Sequence, residues 1–235
     1  MRALSKTLAF ALLDLRRTRG FHLMRDLRYW LKSIPSDGVV LDVGANKGDY
    51  ALEFRRYLRR PVYAFEPVGK TYAQLQAATR HDSGIVCFPL AMGEKPGSAE
   101  IAINPSTTLV SSLRPNARWH ADAIRETVIV STVDAFVQEH NVRRIAVLKV
   151  DVEGYELEVL TGASQSLHQR NVDFIVLETA FLSEANQHRV TVNHLLSHLG
   201  PLGYEPWGVY DCEPVEGDRG GIGFMNVVFG RGRNR

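Results

Sequence analysis

Residues 39–51 read VVLDVGANKGDYA: apolar and β-branched positions around Asp42, a loop with glycines at 44 and 48, then the start of a helical pattern. The run before the loop has the composition of a strand buried on both faces. The stretch after it, GDYALEFRRYL at 48–58, has apolar residues at helical spacing. A strand that turns through glycines into a helix is the opening unit of an open α/β sheet. Such sheets bind ligands at the carboxyl ends of their strands, so a ligand is expected over Gly44-Ala45-Asn46-Lys47-Gly48. Gly44 permits a tight turn and a close backbone approach, and Gly48 lets the next helix begin near the ligand.

The alternation continues outward from this unit. VYAFE (62–66) reads as a strand and GKTYAQLQAAT (69–79) as a helix; GIVCFPLAM (84–92) is a strand followed by a turn. SAEIAIN (98–104) and TVIVST (127–132) alternate with period two, as an antiparallel excursion does. VDAFVQEH is a short helix, IAVLKVD (145–151) a central strand, YELEVLTGASQSLHQ a helix, VDFIVLE (172–178) a strand and VTVNHLLSHLG a helix. YEPWGVYD and GFMNVVFG close the chain as a hairpin. In the other direction, Leu4, Leu8, Leu12 and Leu15, then Leu23, Leu27, Leu31 and Ile34, fall at helical spacing, broken near Gly20 and ended by Pro35. These patterns predict a helical extension over residues 1–36 and one α/β domain over 37–235. Its sheet is mostly parallel, with helices on both faces. The least regular segment, 104–126, is the candidate lid or acceptor-binding loop. Within it, His120 is a candidate general base.

With 235 residues and 45% hydrophobic content the chain can bury a full core. A net charge of +2 gives no argument for a nucleic-acid partner. Residues 1–32 carry eight Lys or Arg against Asp14 and Asp26, and the tail RGRNR adds three arginines. A solvated basic helix is the plainer account, and peripheral contact with a membrane or an acidic partner the sharper one. The apolar run LAFALL is six residues long, too short to span a bilayer. Cys87 and Cys212 lie 125 residues apart with no zinc-type spacing, which fits a reducing, cytoplasmic setting.

The loop chemistry narrows the ligand. A dinucleotide fingerprint reads G-x-G-x-x-G, whereas here Asn46 stands at the middle glycine. Asp42 beside the loop repels a diphosphate and suits a ligand carrying an ammonium group. Glu66 ends the second strand, 24 residues after Asp42, where an acid can accept both hydroxyls of a ribose. An acid, a glycine loop and a second acid, without a phosphate cradle, match S-adenosylmethionine: ammonium near Asp42 and the loop, ribose near Glu66, adenine near Ala91 and Met92.

LKVDVEGYELEVLTGA (148–163) is the second constellation. Lys149 sits inside an apolar strand and must be paired or lose its charge. Asp151 and Glu153 follow, two apart, and share one face if the strand reaches that far. Methyl transfer to an alcohol is an in-line displacement that needs alignment and a group to accept the hydroxyl proton. Asp151, Glu153 and Glu178, at the end of VDFIVLE, are the candidate catalytic acids, with Asp151 equally able to hold the cofactor. Glu178 is alternatively the partner of Lys149. Three acids at one cleft leave a divalent metal such as magnesium open, but no metal ligand is assigned.

Seven segments together carry a family likeness: VVLDVGANKGDYA, VYAFEPVGKTYAQL, LAMGEKPGSAEIAI, SSL, STVDAF, LKVDVEGYELEVLTGA and IVLE. In that order and at similar spacing they resemble the FkbM family of S-adenosylmethionine-dependent methyltransferases, over roughly residues 37–178. The resemblance implies a Rossmann-like, seven-strand class I methyltransferase fold and methyl transfer to a hydroxyl of a sugar, polyketide or similar metabolite. It implies a cofactor loop at Asp42, Gly44, Ala45, Asn46 and Gly48, a ribose acid at Glu66 and an acidic pair at Asp151 and Glu153. Two other readings use the same architecture: a nicotinamide-dependent oxidoreductase, and a non-catalytic cofactor-binding or scaffolding protein with a basic contact helix.

Overall fold

In a computed structural model, residues 21–35, 37–104, 111–113, 123–180, 190–214 and 222–232 are described. Helix α1 (Phe21–Trp30) leads into β1 (Val39–Val43), α2 (Asp49–Leu58), β2 (Val62–Phe65), α3 (Gly69–Thr79) and β3 (Ile85–Phe88). A short excursion follows: β4 (Ala91–Met92), β5 (Gly97–Ile103), β6 (Ser111–Ser112) and β7 (Ile124–Ser131). The chain then returns through α4 (Val133–Glu139), β8 (Ile145–Val150), α5 (Glu156–Thr161), α6 (Ser164–His168), β9 (Val172–Thr179) and α7 (Val192–Leu199). Strands β10 (Tyr204–Pro214) and β11 (Ile222–Arg231) close it. The expected helix at Leu4–Leu15, His120 and most of the candidate lid lie outside the described residues.

The main sheet has seven strands in the order β10-β11-β9-β8-β1-β2-β3. Strands β3, β2, β1, β8 and β9 pair in parallel, while β11 runs antiparallel to both β9 and β10. This is the seven-strand Rossmann-like arrangement that the resemblance implies. Strand order reverses at β1, with β2 on one side and β8 on the other, and the crevice above their carboxyl ends is the switch point at which such sheets bind ligands. The excursion forms its own four-stranded sheet, β4-β7-β5-β6, in which β5 and β7 are antiparallel as their alternation predicts.

Each face of the main sheet buries its own core. Leu41, Val43, Leu148, Val150, Ile175, Leu177, Val227 and Phe229 pack beneath α4–α7. Val40, Val62, Ala64, Val147, Phe174, Val176 and Val228 pack beneath α1–α3, against Leu23, Met24, Leu27, Phe54 and Leu75. Strands covered on both sides explain the unbroken apolar runs.

One expectation fails locally. Residues 155–169 form not one helix but two, α5 and α6, interrupted at Gly162-Ala163. A Cβ at Gly162 would lie 2.0 Å from the Gly93 carbonyl oxygen, so the chain passes too close to its neighbour there for a side chain. The second helix is restarted from outside. Asp134 of α4 accepts hydrogen bonds from the backbone N–H groups of Gln165 (2.8 Å) and Ser166 (2.9 Å) and from the Ser166 hydroxyl (2.6 Å). A carboxylate that satisfies first-turn donors in this way does the work of an N-cap.

Candidate active site

The glycine loop is held through its backbone N–H groups, mostly by the end of β2 and Glu66 just past it. Gly44 and Ala45 N–H both donate to the Phe65 carbonyl (3.0 and 2.9 Å), Gly48 N–H to the Ala45 carbonyl (2.9 Å), and Asn46 N–H to Glu66 Oε2 (3.1 Å). Gly44 has φ 76° and Gly48 φ 98°, both in the left-handed region. A Cβ at Gly44 would fall 1.8 Å from the Asp151 carbonyl oxygen, so this glycine lets the loop lie directly against the end of β8. With four of its N–H groups engaged internally, the loop is not a nest for a diphosphate.

Glu66 stands just past β2, 7% exposed, and its Oε1 accepts from Val68 N–H (3.0 Å) while Oε2 accepts from Asn46. An ionised carboxylate offers about four acceptor directions, so two donors leave room for ligand hydroxyls. Burial pushes its carboxyl up to about 7, against the pull of the Val68 and Asn46 donors. Ala91 and Met92 follow β3, but as buried members of the second sheet, 4% and 2% exposed.

A row of polar side chains crosses the α1–α3 face near the strands' carboxyl ends. Asp42 is in register with Lys149, Lys149 with Val176, and Glu178, two residues beyond Val176, with Asn226. Positions in register share a face, so Asp42, Lys149, Glu178 and Asn226 all project to one side of the sheet. Asp42, expected at the edge of the loop, is fully buried, and its carboxylate meets the Lys149 ammonium at 3.5 Å. Lys149 also donates to Asp151 Oδ2 at 3.3 Å, and its Nζ lies 4.6 Å from the centre of the Tyr50 ring. Asp151 and Asp42 are thus carboxylate partners of Lys149. Burial alone would lower the Lys149 ammonium, but the charges of Asp151 and Asp42 outweigh it and hold the group above its ordinary range. Burial raises Asp42, with Lys149 opposing.

Asp151 and Glu153 do not share a strand face, because β8 ends at Val150 and Glu153 sits in a turn at φ 53°, with Gly154 at φ 99°. The turn nevertheless brings them together. One carboxylate oxygen each from Asp151, Glu153 and Glu178 lies within 4.8 Å of the others, all three side chains half-buried. Such a trio can share a proton, orient a hydroxyl or hold a hard divalent cation.

The sequence reading missed Glu156, Tyr50, Asp211 and Asn226. Glu156 is 2% exposed, and its Oε1 accepts from Gly154 N–H (3.0 Å) and Val152 N–H (3.4 Å), clamping the turn that carries Asp151 and Glu153. Asn226 stands alone in the apolar run FMNVVF, the same signal that singled out Lys149. The aromatic residues of β10 are tied into the body of the fold. Tyr204 is buried with its hydroxyl on the Val172 carbonyl, Trp207 packs on Trp30 and Phe174, and Tyr210 donates to Asp26.

The model of the methyltransferase FkbM domain matches residues 42–206, more than half of the chain. The hexuronic acid methyltransferase AglP of Haloferax volcanii is 31% identical over 154 residues, which cover 65% of this chain and 60% of that protein. Methyltransferase 1 of Beauveria bassiana is 28% identical over 172 residues, covering 65% and 69%. The 31-O-demethyl-FK506 methyltransferase FkbM of Streptomyces tacrolimicus is 29% identical over 171 residues, covering 60% and 64%. The match thus spans less than two thirds of the archaeal and streptomycete relatives. On the family match, and with glycine loop and strand-end acids gathered at one crevice, the chain belongs to the FkbM methyltransferase family.

Proposed function

We propose that this chain transfers a methyl group from S-adenosylmethionine to a hydroxyl of a small acceptor, a sugar, a polyketide or a similar metabolite. The observation that carries the reading is the glycine loop with four of its five N–H groups engaged within the protein, flanked at the switch point by Glu66 on one side and Asp151 on the other. Such a crevice disfavours a diphosphate and suits a ligand with a ribose at one end and an ammonium at the other. That distinction favours the methyl donor over a nicotinamide dinucleotide.

When bound, S-adenosylmethionine supplies an electrophilic sulfonium methyl. Glu66 would accept the ribose hydroxyls, and Gly44–Gly48 would lie along the amino-acid end. Asp151, the acid of the Lys149 cluster that reaches solvent (28% exposed against 0% for Asp42), would take the ammonium. Asp42 then acts through Lys149. Glu153 and Glu178, beside Asp151, would orient the acceptor hydroxyl and receive its proton as the oxygen attacks. AglP and FkbM, by name a hexuronic acid methyltransferase and a 31-O-demethyl-FK506 methyltransferase, support an oxygen acceptor on a sugar or polyketide. Both cysteines are free thiols, in keeping with a cytoplasmic setting. Among the described residues no helix is long and apolar enough to cross a membrane.

The test is a calorimetric titration with S-adenosylhomocysteine. The wild type is expected to bind it, and Glu66→Ala to bind about tenfold more weakly, a loss of about 1.4 kcal/mol. A wild type that does not bind, with or without magnesium, overturns the reading.

A further inference from the structure

The terminal hairpin reaches into the site through one tyrosine. Tyr50 opens α2, two residues after Gly48, and its ring stands 4.6 Å from Lys149 Nζ. Its hydroxyl donates to Asp211 Oδ2 (3.0 Å) and accepts from Asn226 Nδ2 (3.1 Å), while Asn226 Nδ2 also reaches Asp211 Oδ2 (3.2 Å). Donor and acceptor functions of the hydroxyl are both engaged, so the ring is fixed in position and in plane.

Asp211 occupies a costly conformation to make this contact. Its φ is 50°, left-handed for a residue with a side chain, and it lies where the β10–β11 register shifts between Tyr210 and Glu213. Bulges of this kind re-aim a side chain, and left-handed strain is retained where the surroundings over-determine it. The next residue back, Tyr210, donates to Asp26 of α1 at 2.9 Å, so the strand carrying the bulge is itself tethered.

Lys149 receives the other end of the chain of contacts. Its contacts with Asp151 and Asp42 are long, 3.3 Å and 3.5 Å. The face of an aromatic ring attracts an ammonium group, more strongly when water is excluded. A fixed ring thus forms a third wall of the Lys149 site and limits how far the ammonium can swing from Asp151 toward Asp42.

We propose that Tyr50 is a positioning residue: Asp211 and Asn226 of the hairpin lock its ring against Lys149, and Lys149 in turn sets where the Asp151 carboxylate stands. The hairpin thereby belongs to the working site and is not only the edge of the sheet. This rests on the reading of the crevice as an S-adenosylmethionine site in which Asp151 meets the amino-acid end.

The test uses two ligands that share adenine and ribose. S-adenosylhomocysteine carries the amino-acid end and 5′-methylthioadenosine lacks it. Tyr50→Phe keeps the ring and removes the hydroxyl. Its affinity for S-adenosylhomocysteine is expected to fall about fivefold or more, while that for methylthioadenosine stays within about twofold of wild type. Asp211→Ala is expected to do the same, and the double variant to lose no more than the worse single one. If both affinities stay unchanged, or both fall alike, Tyr50 only supports the fold and the proposal is overturned. A wild type that binds neither ligand refutes the methyltransferase reading by itself. The coupling is then read on the free protein by thermal unfolding of Tyr50→Leu, Lys149→Met and their combination. Non-additive losses uphold the contact, and additive losses remove it.

Discussion

Lys149 concentrates the electrostatics of the site in one residue. It is 1% exposed between Asp42 and Asp151, with the Tyr50 ring as its third neighbour. Breaking a buried pair by removing one partner typically costs about 3–5 kcal/mol, because the charge left behind is stranded. Lys149→Met should lose that much in urea unfolding, with S-adenosylhomocysteine binding lost as well. The deficit should also depend on pH. Burial already raises Asp42, with Lys149 opposing; removing the ammonium raises it further, so the folded variant keeps a proton that the unfolded chain has released. Folded-state uptake of that kind makes stability fall as pH rises, and the deficit should be larger at about pH 9 than at about pH 6. An equal deficit at both would show that Asp42 is not the stranded group. At this scale the sequence was readable wherever a lone polar residue interrupted a buried strand. Asp42 and Lys149 stood out that way, and Asn226 should have. Tyr50 and Asp211 could not be read, because an amphipathic helix start and an edge-strand turn are ordinary places for a tyrosine and an aspartate. Only the tertiary fold places the Tyr50 ring over Lys149 and Asp211 on the Tyr50 hydroxyl.

Among the elements, the turn from β8 to α5 does the most with the fewest residues. Its shape depends on Gly154 at φ 99°, Glu153 at φ 53° and the Glu156 carboxylate that accepts the N–H groups of Val152 and Gly154. Glu156 Oε2 has no hydrogen-bond partner among the described residues. Burial pushes the Glu156 carboxyl up to about 7, with the Gly154 donor pulling the other way. Its folded value therefore lies above the ordinary carboxylate range, and its contribution to stability is complete at acid pH and lost as pH rises through about 7. Glu66, also raised to about 7, acts in the same direction. The midpoint of thermal unfolding should fall between about pH 5 and pH 8, by about 2–4 °C for each kcal/mol lost. Glu156→Gln should flatten part of that slope, and an unchanged slope would show that the carboxyl is not titrating there. Elements were otherwise the most legible level. The strands and most helices fall where periodicity puts them, since a doubly covered sheet imposes continuous apolar runs and one-sided helices. The break at Gly162 escaped notice because its cause, the carbonyl of Gly93, is distant in sequence. Glu153 reached the acid cluster through a left-handed turn and not through strand alternation.

For the whole molecule, the question is whether residues 1–36 form an extension or part of the body. Alternation of strand and helix begins at β1, which is why the sequence divides there. The packing of α1 argues for a single cooperative unit. Leu23, Met24 and Leu27 are fully buried in the same core as Val40, Val147, Phe174 and Val228, and Trp30 stacks on Phe174 and meets Trp207 of β10 edge to face. Asp26 receives the Tyr210 hydroxyl. Helix α1 thus covers the sheet face on which Lys149 and Asn226 stand, and it tethers the strand that carries Asp211. Leu27→Ala should cost about 2–5 kcal/mol, the price of a cavity in a shared core. Its transition should stay coincident whether followed by far-ultraviolet circular dichroism or by the fluorescence of Trp30 and Trp207, as one cooperative unit requires. A separate, earlier fluorescence transition with the backbone signal intact would instead make α1 an appendage. The same variant discriminates at the site: if α1 braces the hairpin, weakening its packing loosens Tyr210, Asp211 and Tyr50 in turn. S-adenosylhomocysteine affinity should then fall in Leu27→Ala while the chain is still fully folded, although Leu27 lies in the core beneath α1, far along the chain from every acid of the crevice.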